Sequence, residues 1–98
     1  MAVTERMEDG VLTLDVSGRL NAVTALELHD KMMELMPKAE KLIFDFTNLD
    51  YISSGGLREL LIAYEAMNPK GGVIIRNINP EVQSVLAMTG FSSIFTIE

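Results

Sequence analysis

With 98 residues, 48% of them hydrophobic and 22% charged, the chain has the size and balance of one folded domain and not of a disordered segment. Fourteen acids against eight bases leave a formal charge of −6, and no stretch gathers Lys and Arg into a stripe able to follow phosphates, so nucleic acid is not an expected partner. The absence of cysteine excludes disulfides, thiolate nucleophiles and cysteine-held zinc.

A domain this small buries little more than about 60% of the surface of its unfolded chain, which leaves little room for a deep substrate cavity and favours recognition at the surface. The first ten residues carry Glu5, Arg6, Glu8 and Asp9, and no apolar run approaches the roughly 20 residues needed to cross a bilayer. We therefore read a cytoplasmic chain without membrane insertion, a single domain over residues 1–98, and no repeat or linker.

In chain order, Val11 to Val16 alternates, with Leu12, Leu14 and Val16 on one side and Val11, Thr13 and Asp15 on the other, which is the period of a strand. Glu8-Asp9-Gly10 forms a turn, so Val3 to Met7 folds back as the polar arm of an N-terminal hairpin, and Gly18 is expected to break the second strand. Thr24-Ala25-Leu26-Glu27 has the spacing of a capping box. It opens a helix whose apolar face is Ala25, Leu28, Met32, Leu35 and Met36, until Pro37 stops it. Lys41 to Thr47, apolar on both faces apart from Asp45, predicts a central strand covered on both sides.

A second helix follows with Leu57, Leu60, Leu61 and Tyr64 as its stripe, ended by Asn68-Pro69-Lys70-Gly71-Gly72. Val73 to Ile75 is a third buried strand. Asn79 as N-cap and Pro80 at the first position open another helix, with Val82, Val85 and Leu86 buried and Gly90 closing it. Ile94 to Ile97 reads as the last strand. Strands alternating with helices of this length imply right-handed crossovers, hence an α/β domain with a mixed, mostly parallel sheet, an N-terminal hairpin and three to four helices.

Chemistry could sit at Ile52-Ser53-Ser54-Gly55-Gly56-Leu57, between strand and helix. Glycine costs roughly 1 kcal/mol relative to alanine in a helix interior, so two of them at a helix start point to a sharp turn or a close approach. Ser53 or Ser54 can serve simply as N-cap. Alternatively, the unpaired N–H groups and partial positive charge of a helix N-terminus favour a phosphate, and a phosphoserine there, adding about −1.5 to −2 charges, would act on whatever docks over the helix end.

The remaining candidates read as structural. His29, the single histidine, is expected to be a partly exposed surface side chain, and Ser54 lacks the G-x-S-x-G elbow of a hydrolase, so no catalytic residue is assigned. Asp45 and Asp50 read as caps and turn formers, with no metal or cofactor, and Met32, Met33 and Met36 as core.

The run Asp45-Phe46-Thr47-Asn48-Leu49-Asp50-Tyr51-Ile52-Ser53-Ser54-Gly55-Gly56-Leu57 resembles the signature loop of STAS domains, the family of anti-sigma factor antagonists and of the cytoplasmic domains of sulfate transporters. Gly18-Arg19-Leu20-Asn21-Ala22-Val23-Thr24 is similar to the family's G-R-L-D-x-x-T element, and Asn79-Pro80-Glu81-Val82 through Met88-Thr89-Gly90-Phe91 to its C-terminal helix and closing strand. The resemblance covers nearly the whole chain in the family's order.

What it implies is a free-standing anti-sigma factor antagonist, a monomer when free. Such a protein binds an anti-sigma factor that is also a serine kinase and so releases a sigma factor. Phosphorylation of a serine at the start of this helix breaks the complex, and a metal-dependent PP2C-type phosphatase restores it. Alignment on Gly56-Leu57 places that serine at Ser54, with Ser53 as runner-up, and gives Asn21, Tyr51, Ile52, Ser53, Ser54, Gly55, Gly56, Leu57 and Arg58 as partner-binding residues. The chain departs from the pattern at Asn21 and Ser53, where phosphorylated members usually carry Asp, so two negative charges are missing beside the site. The family also implies an alternative, a constitutive subunit of a lipid-transport or stress-sensing complex.

Overall fold

A computed structural model describes residues 2–98. The elements are β1 (Ala2–Glu8), β2 (Val11–Leu20), α1 (Ala25–Leu35), β3 (Lys41–Asp45), β4 (Leu49–Ile52), α2 (Ser54–Met67), β5 (Val73–Arg76), α3 (Pro80–Met88) and β6 (Thr96–Ile97), with short 3-10 turns at Met36–Lys38 and Phe91–Ser93.

The hairpin forms as expected, with Glu8 opposite Val11 and a two-residue loop in which Asp9 and Gly10 both have positive φ, 51° and 80°. That is the mirror-image turn whose twist matches the flanking strands, and Asp-Gly is one of its preferred pairs. Gly18 does not end the second strand. Its φ of 83° accompanies a shift of register between Gly18 and Arg19, and β2 continues through this bulge to Leu20, where it pairs with β4.

The sheet order is β1-β2-β3-β5-β6, antiparallel at the hairpin and parallel elsewhere, with β4 beside the C-terminal end of β2. From β2 through β3 and β5 to β6 every crossover steps in one direction, and right-handed connections then place all three helices on the same face. The core agrees. Leu12, Leu42 and Val73 share a register row, as do Leu14, Phe44 and Ile75, and all six pack in one cluster with Leu28 and Met32 of α1, Leu60 and Met67 of α2, and Val82 and Leu86 of α3. β3 is therefore covered by helices on one side only, a correction to the two-sided covering its composition suggests. Ile43 lies outside that cluster between Thr13 and Ile74 of the neighbouring strands, yet only 8% of it is exposed.

Smaller corrections follow from the same geometry. Leu61 is 39% exposed, so the buried stripe of α2 is Leu57, Leu60, Ala63 and Met67, and Met33 of α1 is exposed while Met32 and Met36 are core. Ile94 closes the 3-10 turn on the Phe91 carbonyl and stays outside the last strand. Lys70 donates from Nζ to the carbonyls of Met36 and Ala39, supplying the cation that the end of α1 lacks. Asn79 caps α3 as expected: its Oδ1 accepts from Val82 N–H at 2.8 Å, and its amide donates to the Leu49 carbonyl at 2.6 Å, tying α3 to β4.

Asp45 is the turn former its position suggests. Burial pushes its carboxyl up, but hydrogen bonds from the Thr47 hydroxyl (2.6 Å) and N–H (3.0 Å) and from the Asn77 amide (3.3 Å) outweigh this and hold it below 3.8, the ordinary value for Asp. A carboxyl depressed on folding contributes stability in full above the unfolded value and loses it as pH falls through the folded one. Asp45→Asn is thus expected to lower the urea midpoint at about pH 7, with the gap from wild type narrowing towards about pH 3; a gap independent of pH would refute the assignment.

Candidate functional site

The site begins where β2 leaves the sheet. Asn21 accepts at Oδ1 from the N–H groups of Val23 and Thr24, both at 3.0 Å, while its own N–H donates to Thr24 Oγ1 at 2.9 Å. This is a reciprocal cap, three residues ahead of the expected Thr24–Glu27 box. Thr24 already has helical angles, φ −71° and ψ −21°, and makes no capping bond to the turn that follows, so that box does not form. Its hydroxyl donates instead to the Arg19 carbonyl at 2.7 Å. An Asn at position 21 gives the cap its acceptor oxygen without bringing a charge.

β4 brings the second half. Ser53 N–H donates to the Leu20 carbonyl at 2.9 Å, laying the start of α2 along residues 20–22. The two glycines explain how closely. A Cβ on Gly55 would lie 2.8 Å from Ala22 Cα, and one on Gly56 would lie 2.7 Å from Ile52 Cγ1 and 2.8 Å from Leu20 Cγ. No side chain fits at either position without displacing its neighbours.

The two serines differ. Ser53 takes the N-cap position in an extended conformation, but its side chain makes no capping bond, and its Oγ is sealed from solvent with no hydrogen-bond partner among the described residues. Ser54, the first residue of α2, is exposed. Arg58 is exposed one turn further along the same helix, and Tyr51 is exposed on β4 with the Arg19 guanidinium 4.2 Å from its ring centroid.

The fold thus brings Asn21 beside the stretch from Ser53 to Arg58. Ile52, Gly56 and Leu57 are buried and support this surface from beneath. Sequence reasoning missed Val23 and Leu26, which are 76% and 66% exposed next to Ala22. The available signal was that both are large apolar residues off the Ala25–Leu28–Met32 stripe. His29 is half-exposed, as expected, and its Nδ1 lies 2.7 Å from Oε1 of Glu59, a buried acid of α2, so the single histidine braces α1 against α2.

The STAS domain profile matches residues 3–98. The chain belongs to the STAS domain family. BtrV, a candidate anti-sigma factor antagonist of Bordetella bronchiseptica, is 33% identical to this STAS domain over 99 residues, spanning 99% of this chain and 85% of that protein. An anti-sigma F factor antagonist of Paenibacillus polymyxa is 32% identical over 91 residues, or 90% and 78% of the two chains. The crystal structure of an anti-sigma factor antagonist from Mycobacterium paratuberculosis superposes with a TM-score of 0.89 at 24% identity, covering 98% of this chain and 83% of that one, so the STAS fold is shared over the whole domain. No helix among the described residues is long and apolar enough to cross a membrane.

Proposed function

We propose that this STAS domain antagonises an anti-sigma factor by docking the start of α2 and the turn before α1 onto it. The anti-sigma factor, itself a serine kinase, ends the complex by phosphorylating Ser54. The observation that carries this reading is the contrast between the serines: Ser54 is exposed, whereas Ser53 Oγ is shut away from solvent. A kinase must reach its acceptor oxygen, and the accessible hydroxyl is that of Ser54. The names of the relatives from Bordetella and Paenibacillus support the choice of partner.

The consequence of modification follows from position. A phosphate on the first residue of α2 meets helix N–H groups that carry no side-chain cap, which favours it, so the fold tolerates the change. The added charge of about −1.5 to −2 instead falls on the docking surface, next to Gly55, which lies against Ala22. A PP2C-type phosphatase removes the phosphate and restores binding.

The reading is tested by capture from a lysate of the source cell with tagged wild type and Ser54→Asp in parallel. Recovery of a kinase-type anti-sigma factor by wild type, and its loss with Ser54→Asp, is the expected result. Equal recovery of a transporter or sensor subunit by both would replace the switch with a constitutive assembly role.

A further inference from the structure

We propose that the exposed face of α1 forms a second part of the docking surface and takes a basic, amphipathic segment of the same anti-sigma factor, an inference that rests on the reading above. Val23 in the turn before α1 and Leu26 in its first turn are three residues apart and 76% and 66% exposed, and Val23 directly follows Ala22, whose backbone lies against α2 at Gly55. Two large apolar side chains standing in water close in sequence to Ala22, which meets α2 next to the proposed phosphorylation site, are of the kind that mark an interaction surface.

The charge around this patch specifies its occupant. Glu27, Asp30 and Glu34 recur at three- and four-residue spacing along one face of α1, all of them exposed. Lys31, the one lysine or arginine in the helix, is drawn across to Glu5 of β1, its Nζ 2.6 Å from Oε1. Four carboxylates therefore share a single ammonium, and the stripe stays net acidic below the apolar pair. Its complement is an apolar side chain flanked by several Lys or Arg. A second copy of this chain would present the same acidic face and be repelled, as would an anionic membrane surface. Opposed charge of this kind acts mainly on association, and the buried apolar contact mainly on dissociation.

The test uses the kinase-type anti-sigma factors encoded in the source genome, each purified and titrated by surface plasmon resonance. The chains compared are wild type, Ser54→Asp, Leu26→Ser and the triple variant Glu27→Gln, Asp30→Asn, Glu34→Gln, at low and raised salt. Circular dichroism confirms that each variant is folded. Leu26→Ser is expected to weaken binding about 10-fold or more, chiefly through faster dissociation. The triple variant is expected to slow association about 10-fold at low salt and to lose most of the salt dependence. If an anti-sigma factor discriminates against Ser54→Asp but binds Leu26→Ser and the triple variant like wild type, the α1 surface is refuted and the reading above stands. If none binds wild type, both fall.

Discussion

Ser54→Asp is expected to weaken binding to the anti-sigma factor by about 100-fold or more, while Ser54→Ala binds like wild type; isothermal titration calorimetry measures both. The size of the effect follows from what would surround the new charge. Ser54 is exposed in the free domain, so an aspartate there costs little until a partner covers it. Docking over the apolar Ala22–Val23–Leu26 edge would then strip water from a carboxylate that the helix N–H groups and Arg58, one turn on, offset only in part. The cost of a few kcal/mol compares with about 1.4 kcal/mol for each tenfold in affinity. Ala removes only a solvent-facing hydroxyl. An affinity for Ser54→Asp within threefold of wild type would mean that this helix end is not the contact.

Gly56→Val is expected to destabilise the domain by about 3 kcal/mol, at the upper end of the usual cost of overpacking. The glycine lies against the bases of two buried side chains, Leu20 and Ile52, with a Cβ position under 3.0 Å from each. Any gain in helix propensity is smaller, about 1 kcal/mol at most, so the clash decides the sign. For a domain of this size each kcal/mol lowers the melting temperature by roughly 4–8 °C, which differential scanning calorimetry resolves easily. An unchanged melting temperature would show that α2 does not rest directly on residues 20 and 52.

The parts of this fold that were legible in the sequence carry their signals locally. Asp9-Gly10 makes its turn from two residues, Asn79-Pro80 caps and starts α3, and the buried faces of α1 and α3 repeat at helical spacing, although Val85, expected in the α3 stripe, is only partly buried beside Val82 and Leu86. What escaped depends on distant partners. β4 is four residues long with only Leu49 and Ile52 buried, so it shows no alternation, and its strand character comes from pairing with Gly18 to Leu20, about 30 residues away. Two overlapping cap motifs compete at the start of α1, Asn21 to Thr24 and Thr24 to Glu27. The first forms because the chain is already helical at Thr24, whereas an N-cap residue needs extended angles. The one-sided covering of β3 follows from strand order, which no window of residues contains.

The candidate site divides in the same way. The serine-glycine run between β4 and α2 is conspicuous as a string of small residues before an apolar stripe. Which serine is accessible could not be read from it, because that depends on the N-cap geometry of Ser53 and its burial against the rest of the fold. Val23 and Leu26 lie off the apolar stripe of α1, but how far each stands in water depends on how the helix and the turn before it dock on the sheet.

The most direct test of the account is to incubate the protein with its kinase-type anti-sigma factor and ATP and to map the phosphate by tandem mass spectrometry in wild type, Ser54→Ala and Ser53→Ala. A single phosphate on Ser54, absent from Ser54→Ala and retained in Ser53→Ala, is the predicted result. A phosphate on Ser53, or undiminished incorporation into Ser54→Ala, would contradict it.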